Sequence, residues 1–160
     1  LAWWAGVTKR LAAAAMAEMG ARVVRVAGLD VEQWATDEVI EGLASAEPRG
    51  VLRLLPVWDA WLMSRRERSR ILDEAHRAAV VDRSGNVTNT VTLDGRVVGV
   101  WDEEGQTLLV AMHNSGMPDG LEDAAARLRP VMAWTHIEMV EPRPLPADRQ
   151  NAFRAPLRHR

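Results

Sequence analysis

The stretch from Thr88 to Met112, TNTVTLDGRVVGVWDEEGQTLLVAM, constrains the fold more than any other part of the chain. It holds three apolar runs rich in β-branched residues, divided by Asp94-Gly95 and then by Glu104-Gly105. Such side chains fit a pleated surface, and an Asp-Gly pair supplies the two positive φ angles of a type I′ turn. A three-stranded antiparallel meander is expected. Gly95 and Gly99 lie within it as GRVVG, which has neither the spacing of a dinucleotide loop nor a phosphate-loop lysine. Their expected roles are the turn and a close approach of strands.

Before the meander, LAWWAG and VTKRLAAAAMAEMG read as two helical pieces around a break, with Gly6 as the stop, Thr8 as an N-cap and Gly20 just past the second helix. ARVVRVAGLD then suggests a strand and a turn at Gly28 and Asp30, with a second extended segment near Val31 to Ala35. Two helices followed by a hairpin is the order of a winged helix. SAEPRG, residues 45–50, has the composition of a linker. VLRLLPVWDAWLM reads as an extended apolar opening bent at Pro56, and SRRERSRILDEAHR as a charged stretch. After the meander, NSGMPDG is a loop and GLEDAAARLRPVMAWT a helix, with Asp119 as its cap and Pro130 as its end. HIEMVEP reads as one more strand and the basic end as peripheral.

The predicted fold class is α+β. A winged-helix module over residues 1–46 precedes a small antiparallel β-barrel or curved sheet with one packed helix over 50–145, and 146–160 is a tail. The chain begins with leucine and enters helix at once, so the first elements of a longer protein are expected to precede it.

Composition narrows the function classes. The 160 residues are 48% apolar and 26% charged, enough for a hydrophobic core. A net charge of −2 gives no global pull toward nucleic acid, so any basic surface must be local. With no cysteine, disulfides, thiolate zinc sites and a cysteine nucleophile are excluded. The longest apolar run, Leu11 to Ala17, falls well short of the roughly 18 residues of a membrane span. No signal peptide is visible, and a cytoplasmic location is expected.

Two passages resemble the AlkZ/YcaQ-like winged-helix DNA glycosylases. LAWWAGVTKRLAAAAMAEMG is similar to the helix-turn-helix of the last winged-helix module. LLPVWDAWLMSRRERSRILDEAH with GNVTNTVTLDGRVVGVW is similar to the opening of the C-terminal β-barrel domain. Leu55, Pro56 and Asp59 match an LLPxxD opening; Trp61 stands where an aromatic is usual; Arg68 and His76 fall at the expected Arg and His; Gly85, Asn86, Gly95, Gly99 and Trp101 fit the later pattern. The resemblance implies a bacterial protein that excises alkylated or crosslinked bases from DNA. It also implies a Gln-hydrophobic-Gln or Gln-hydrophobic-Asp motif in the N-terminal modules. Gln33, Gln106 and Gln150 begin Gln-Trp-Ala, Gln-Thr-Leu and Gln-Asn-Ala, so none reproduces that motif and no catalytic residue is assigned.

The candidate DNA-binding residues are Lys9, Arg10, Arg65, Arg66, Arg68 and Arg70. Arginine forks bind phosphate oxygens without reading sequence. The alternative is a solvated face paired with Glu67, Asp73 and Glu74. Lys9 and Arg10 open a helix whose remainder, LAAAAMAEM, offers almost nothing that reads bases, so sequence-specific readout is not expected. Arg22 and Arg25 fall in the wing. Asp59 and His76 form the acid–histidine pair the resemblance singles out, with a structural histidine as the favoured reading. His113, His136 and His159 are scattered, and neither a metal nor a cofactor is expected. Trp3, Trp4, Trp58, Trp61 and Trp101 are expected in the core, with stacking on bases as the alternative. The leading function is non-sequence-specific binding of duplex DNA as the accessory portion of such a glycosylase. The rivals are a non-enzymic domain holding a small ligand or protein partner, and a hydrolase using Asp59 and His76.

Overall fold

The computed structural model describes residues 1–26, 32–47, 49–65, 67–114 and 116–141. The chain divides into two compact units, Leu1–Pro48 and Arg49–Arg160.

In the first unit, α1 (Ala2–Ala5) stops at Gly6, which takes φ 65°. Helix α2 (Lys9–Glu18) is capped by Thr8, whose hydroxyl accepts from the Leu11 amide at 3.2 Å. Strands β1 (Arg22–Val24) and β2 (Gln33–Ala35) pair antiparallel, with Val23 opposite Trp34. The expected turn at Gly28 and Asp30 lies outside the described residues. Helix α3 (Asp37–Ala44), absent from the sequence reading, begins at the Thr36 cap with Asp37 and Glu38 in its first turn, where carboxylates complement the amide dipoles. Among the described residues this unit buries only Ala12, Ala21 and Ala35, while Trp3 and Trp4 stand 58% and 57% exposed.

The second unit is built on a five-stranded sheet in the order β3-β4-β5-β6-β7. These strands are β3 (Leu52–Leu55), β4 (Thr90–Leu93), β5 (Arg96–Glu104), β6 (Thr107–Met112) and β7 (His136–Met139). The predicted meander is β4-β5-β6, and Asp94 and Gly95 both take positive φ, at 47° and 81°. The Asp94 carboxylate also accepts from the Gly50 and Val51 amides at 3.1 and 2.9 Å, fastening the start of β3 to the turn. The expectation of an all-antiparallel sheet is corrected at β7, which runs parallel to β6. Helix α6 (Leu121–Leu128) lies between those strands and returns the chain to the same end, as a parallel neighbour requires. Its N-cap is Gly120, with φ 83°, rather than Asp119.

Both sheet faces are covered. Val97, Val100, Leu109 and Ala111 pack with Leu62, Ile71, Leu72 and Val80; Trp101, Leu108 and Val110 pack with Leu54, Leu121, Ala124 and Trp134. This explains why β6 reads LLVA rather than alternating with polar residues. Val91 pairs with Gly99 but Thr92 with Val97, so Val98 is the extra residue of a bulge. The bulge shifts the phase, and Val97 and Val100 enter the same core although three positions apart. At Gly99 a Cβ would stand 2.6 Å from the Ala111 carbonyl oxygen and 2.9 Å from Met112 Sδ. The strands meet there only because the side chain is missing.

The opening LRLLPVWDAWLM is not extended throughout. β3 ends at Leu55, and the chain turns into α4 (Ala60–Met63), capped by Asp59, whose Oδ1 accepts from the Trp61 amide at 2.8 Å. Trp58 adopts φ 59°, a costly conformation for a bulky residue. It is held by bonds on either side: Val57 N–H to Asn89 Oδ1 at 2.7 Å, its own N–H to the Val87 carbonyl at 3.0 Å, and Asp59 N–H to the Pro56 carbonyl at 3.2 Å.

Beyond α4, a 3-10 turn (Glu74–His76) leads into α5 (Arg77–Val80). Arg68 is 8% exposed, and its Nε donates to the Leu62 carbonyl at 3.0 Å, its Nη2 to the Gly85 carbonyl at 3.5 Å. Burial first, and the like charge of Arg77 second, lower its pKa. At the end of β6, His113 stacks on His76 with ring centroids 3.9 Å apart, and neither His113 ring nitrogen has a hydrogen-bond partner. Burial chiefly, then His76, push the His113 pKa down to about 4, against a smaller opposing pull from Asp73.

Gly99→Ala is expected to destabilise the second unit by about 2–3 kcal/mol through backbone overpacking, read by chemical denaturation. Arg68→Ala should cost about 2–3 kcal/mol, because it removes the side-chain donors to the Leu62 and Gly85 carbonyls and opens a gap beside α4. An unfolded His113 takes up its proton near pH 6.5, whereas the folded one resists until about pH 4, so stability should fall as pH drops through that window. His113→Phe should flatten that part of the curve, seen as the difference between the two pH profiles of Tm.

Candidate nucleic-acid interface

Lys9 and Arg10 occupy the first turn of α2 and are both exposed. The other exposed positions of that helix, Leu11, Ala14, Ala15, Ala17 and Glu18, offer little to base edges. At β1 and just beyond it, Arg22 Nε donates to Asp37 Oδ1 at 3.0 Å and Arg25 Nη2 lies 3.6 Å from Glu32 Oε1. Carboxylates already claim these two arginines.

Among the described residues, the arginines between 65 and 70 do not share one face, and residues 67–70 are not helical. Arg65 lies with its guanidinium carbon 3.9 Å from the centre of the Trp61 ring, a cation–π contact, and its buried Nε has no hydrogen-bond partner. Arg66 lies outside the described residues. Arg68 is 8% exposed and faces inward onto two carbonyls. Arg70 is exposed. The neighbouring acids are occupied elsewhere: Glu67 accepts from the Ser69 amide at 2.7 Å, Asp73 from the Ala75 amide at 3.0 Å, and Glu74 lies 3.9 Å from Arg77. Among the described residues, Lys9, Arg10, Arg65 and Arg70 have no carboxylate within ion-pair distance.

Asp59 and His76 are not brought together. Asp59 caps α4, and His76 stacks on His113, its ring making no hydrogen bond among the described residues. Gln33 lies in β2, the Gln106 carbonyl accepts from the Thr135 amide at 2.8 Å, and Gln150 lies outside the described residues. The tryptophan expectation is corrected for four of its five residues. Trp101 is buried, with its Nε1 donating to the Leu55 carbonyl at 2.9 Å, whereas Trp3, Trp4, Trp58 and Trp61 are exposed.

Sequence reasoning missed Arg53. It is the single outward residue between Leu52 and Leu54, a signal that strand alternation does carry. It borders a cleft of about 490 Å³ whose apolar wall is Leu55, Ala60 and Trp61 and whose polar groups are Arg53, Asp59 and Thr92. Trp61 Nε1 donates to the Gly95 carbonyl at 3.2 Å, so the meander's first turn positions the indole.

A family profile described as DNA glycosylase AlkZ-like matches residues 1–131. The interstrand DNA cross-link repair glycosylase of Streptomyces sahachiroi is 33% identical over 94 residues, which is 58% of this chain and 25% of that protein. The solved structure of Streptomyces sahachiroi DNA glycosylase AlkZ superposes with a TM-score of 0.67 at 27% identity, covering 84% of this chain and 38% of that one. The chain thus spans between a quarter and two-fifths of the length of these relatives. With the profile matching across both compact units, the chain belongs to the AlkZ-like DNA glycosylase family.

Proposed function

We propose that this chain binds duplex DNA without sequence preference, as the C-terminal portion of an alkylated-base glycosylase-like protein acting in the bacterial cytoplasm. In this reading residues 1–46 form a winged-helix module and 50–145 a barrel-like domain, with 146–160 peripheral. The helix-helix-hairpin order of the first unit and the curvature that a bulge gives the sheet support it. The relative named for interstrand cross-link repair supports DNA as the partner.

The observation that carries the proposal is the set of cations that form no salt bridge among the described residues. Lys9, Arg10, Arg65 and Arg70 have no ion-pair partner among the described residues, while Glu67 and Asp73 are bound to backbone amides. Paired guanidiniums would have to break a salt bridge before meeting phosphate; these do not. With no glutamine motif in the chain, the base-excising step is assigned to other parts of a longer protein, and this portion contributes grip rather than chemistry.

Binding to a short random-sequence duplex, followed by fluorescence anisotropy, should weaken steeply with salt and vary little with sequence. Replacing Lys9, Arg10 and Arg70 together by glutamine should lower the salt slope by about one per phosphate contact removed. An unchanged affinity and slope at low salt would sink the proposal. Arg68→Ala should act on binding only through stability.

A further inference from the structure

The cleft beside Trp61 has a chemistry that backbone gripping does not use. Its apolar wall of Leu55, Ala60 and Trp61 is broad, and Trp61 keeps 43% of its surface open to solvent. Arg53 projects beside it from β3 with no carboxylate partner among the described residues, and Arg65 lies over the Trp61 ring with its Nε unsatisfied. Asp59 spends Oδ1 on the Trp61 amide, and Oδ2 has no hydrogen-bond partner among the described residues. The cleft therefore combines a flat apolar wall, a free acceptor and one cation, Arg53, within a volume that suits a small organic ligand.

Resting on the DNA-binding reading above, we infer that this cleft receives a single unpaired nucleotide of a DNA strand. The base lies along the Leu55–Ala60–Trp61 wall, an exocyclic or ring N–H donates to Asp59 Oδ2, and the adjoining phosphate meets Arg53. The charge pattern selects this occupant. An apolar peptide would leave the Arg53 guanidinium and a carboxylate oxygen unanswered, at a desolvation cost. A bare anion would leave the indole wall unused. A nucleotide answers all of them, because it joins a planar heteroaromatic ring with polar edges to an anionic linker. A base inside an intact duplex cannot enter, since its polar edge is paired and both its faces are stacked. The site therefore discriminates by pairing state, a property the exposed cations Lys9, Arg10 and Arg70 lack.

The test compares a perfect duplex with the same duplex carrying one bulged thymidine, both titrated against the whole chain. The unaltered protein should bind the bulged duplex about fivefold tighter or more. Arg53→Gln, on an exposed strand position, and Trp61→Leu, which keeps apolar bulk against the hairpin but removes the aromatic face, should each bring that ratio close to one. Equal binding of the two DNAs by the unaltered protein, with the duplex still bound, overturns the cleft assignment and leaves the DNA-binding reading standing. A preference that survives both substitutions also overturns the assignment. Binding to neither DNA overturns both. Because the ratio is first read on the unaltered protein, a variant that folds poorly cannot decide the outcome.

Discussion

The close approach of β5 to β6 at Gly99 governs most of the second unit. With no Cβ there, the Ala111 carbonyl and the Met112 side chain close against the β5 backbone, and the bulge at Val98 is accommodated. The added residue reverses which face each later side chain of β5 meets. Val100 joins the core under α4 and α5, and Trp101 joins the core under α6, where it meets Trp134 edge-on with centroids 5.4 Å apart. A sheet buried on both faces is stiff, since every fully buried valine or leucine contributes roughly 1.5–3 kcal/mol. That stiffness fixes the Asp94–Gly95 turn, and the turn in turn fixes Trp61 through the Gly95 carbonyl.

Local chemistry was legible wherever one residue type forces a conformation. Asp94-Gly95 announced its turn, Thr8 its helix cap and Gly6 its stop, because each acts on its own backbone. Thr36-Asp37-Glu38 carried an equally local signal for α3, hidden by the expectation of a wing followed by a linker. The parallel pairing of β7 was also within reach. A helix between two neighbouring strands returns the chain in the same direction, so the strand-helix-strand order at the end of the sheet already implied it.

Other features depend on where the chain turns rather than on what it contains. Arg68 and Arg70 are two positions apart, yet one is enclosed and the other exposed, because the irregular backbone between α4 and the 3-10 turn gives successive residues unrelated directions. Charge density along a sequence cannot foresee that. The His76–His113 stack joins residues 37 positions apart, and neither ring shares a sequence motif with the other. Tryptophan burial failed as an expectation for a reason of size. Among the described residues of the first unit the buried apolar side chains are three alanines, an interior too small for an indole, so Trp3 and Trp4 stay at the surface.

Arg68 and Arg53 show how one residue type divides its labour according to backbone context. Arg68 follows a helix end whose Leu62 carbonyl has room for a second donor, and its long side chain reaches both that group and the turn at Gly85. Burying it costs desolvation, which those carbonyls offset by receiving its donors. Arg53 sits mid-strand, where β4 already satisfies the backbone and leaves the side chain no internal acceptor. The family resemblance singles out Arg68, and strand alternation singles out Arg53. The first holds in place the segment on which Trp61 and Arg65 stand, and the second faces the solvent beside them. The corner is thus set by an arginine withdrawn from solvent, while Arg53 and Arg65 beside it have no carboxylate partner among the described residues.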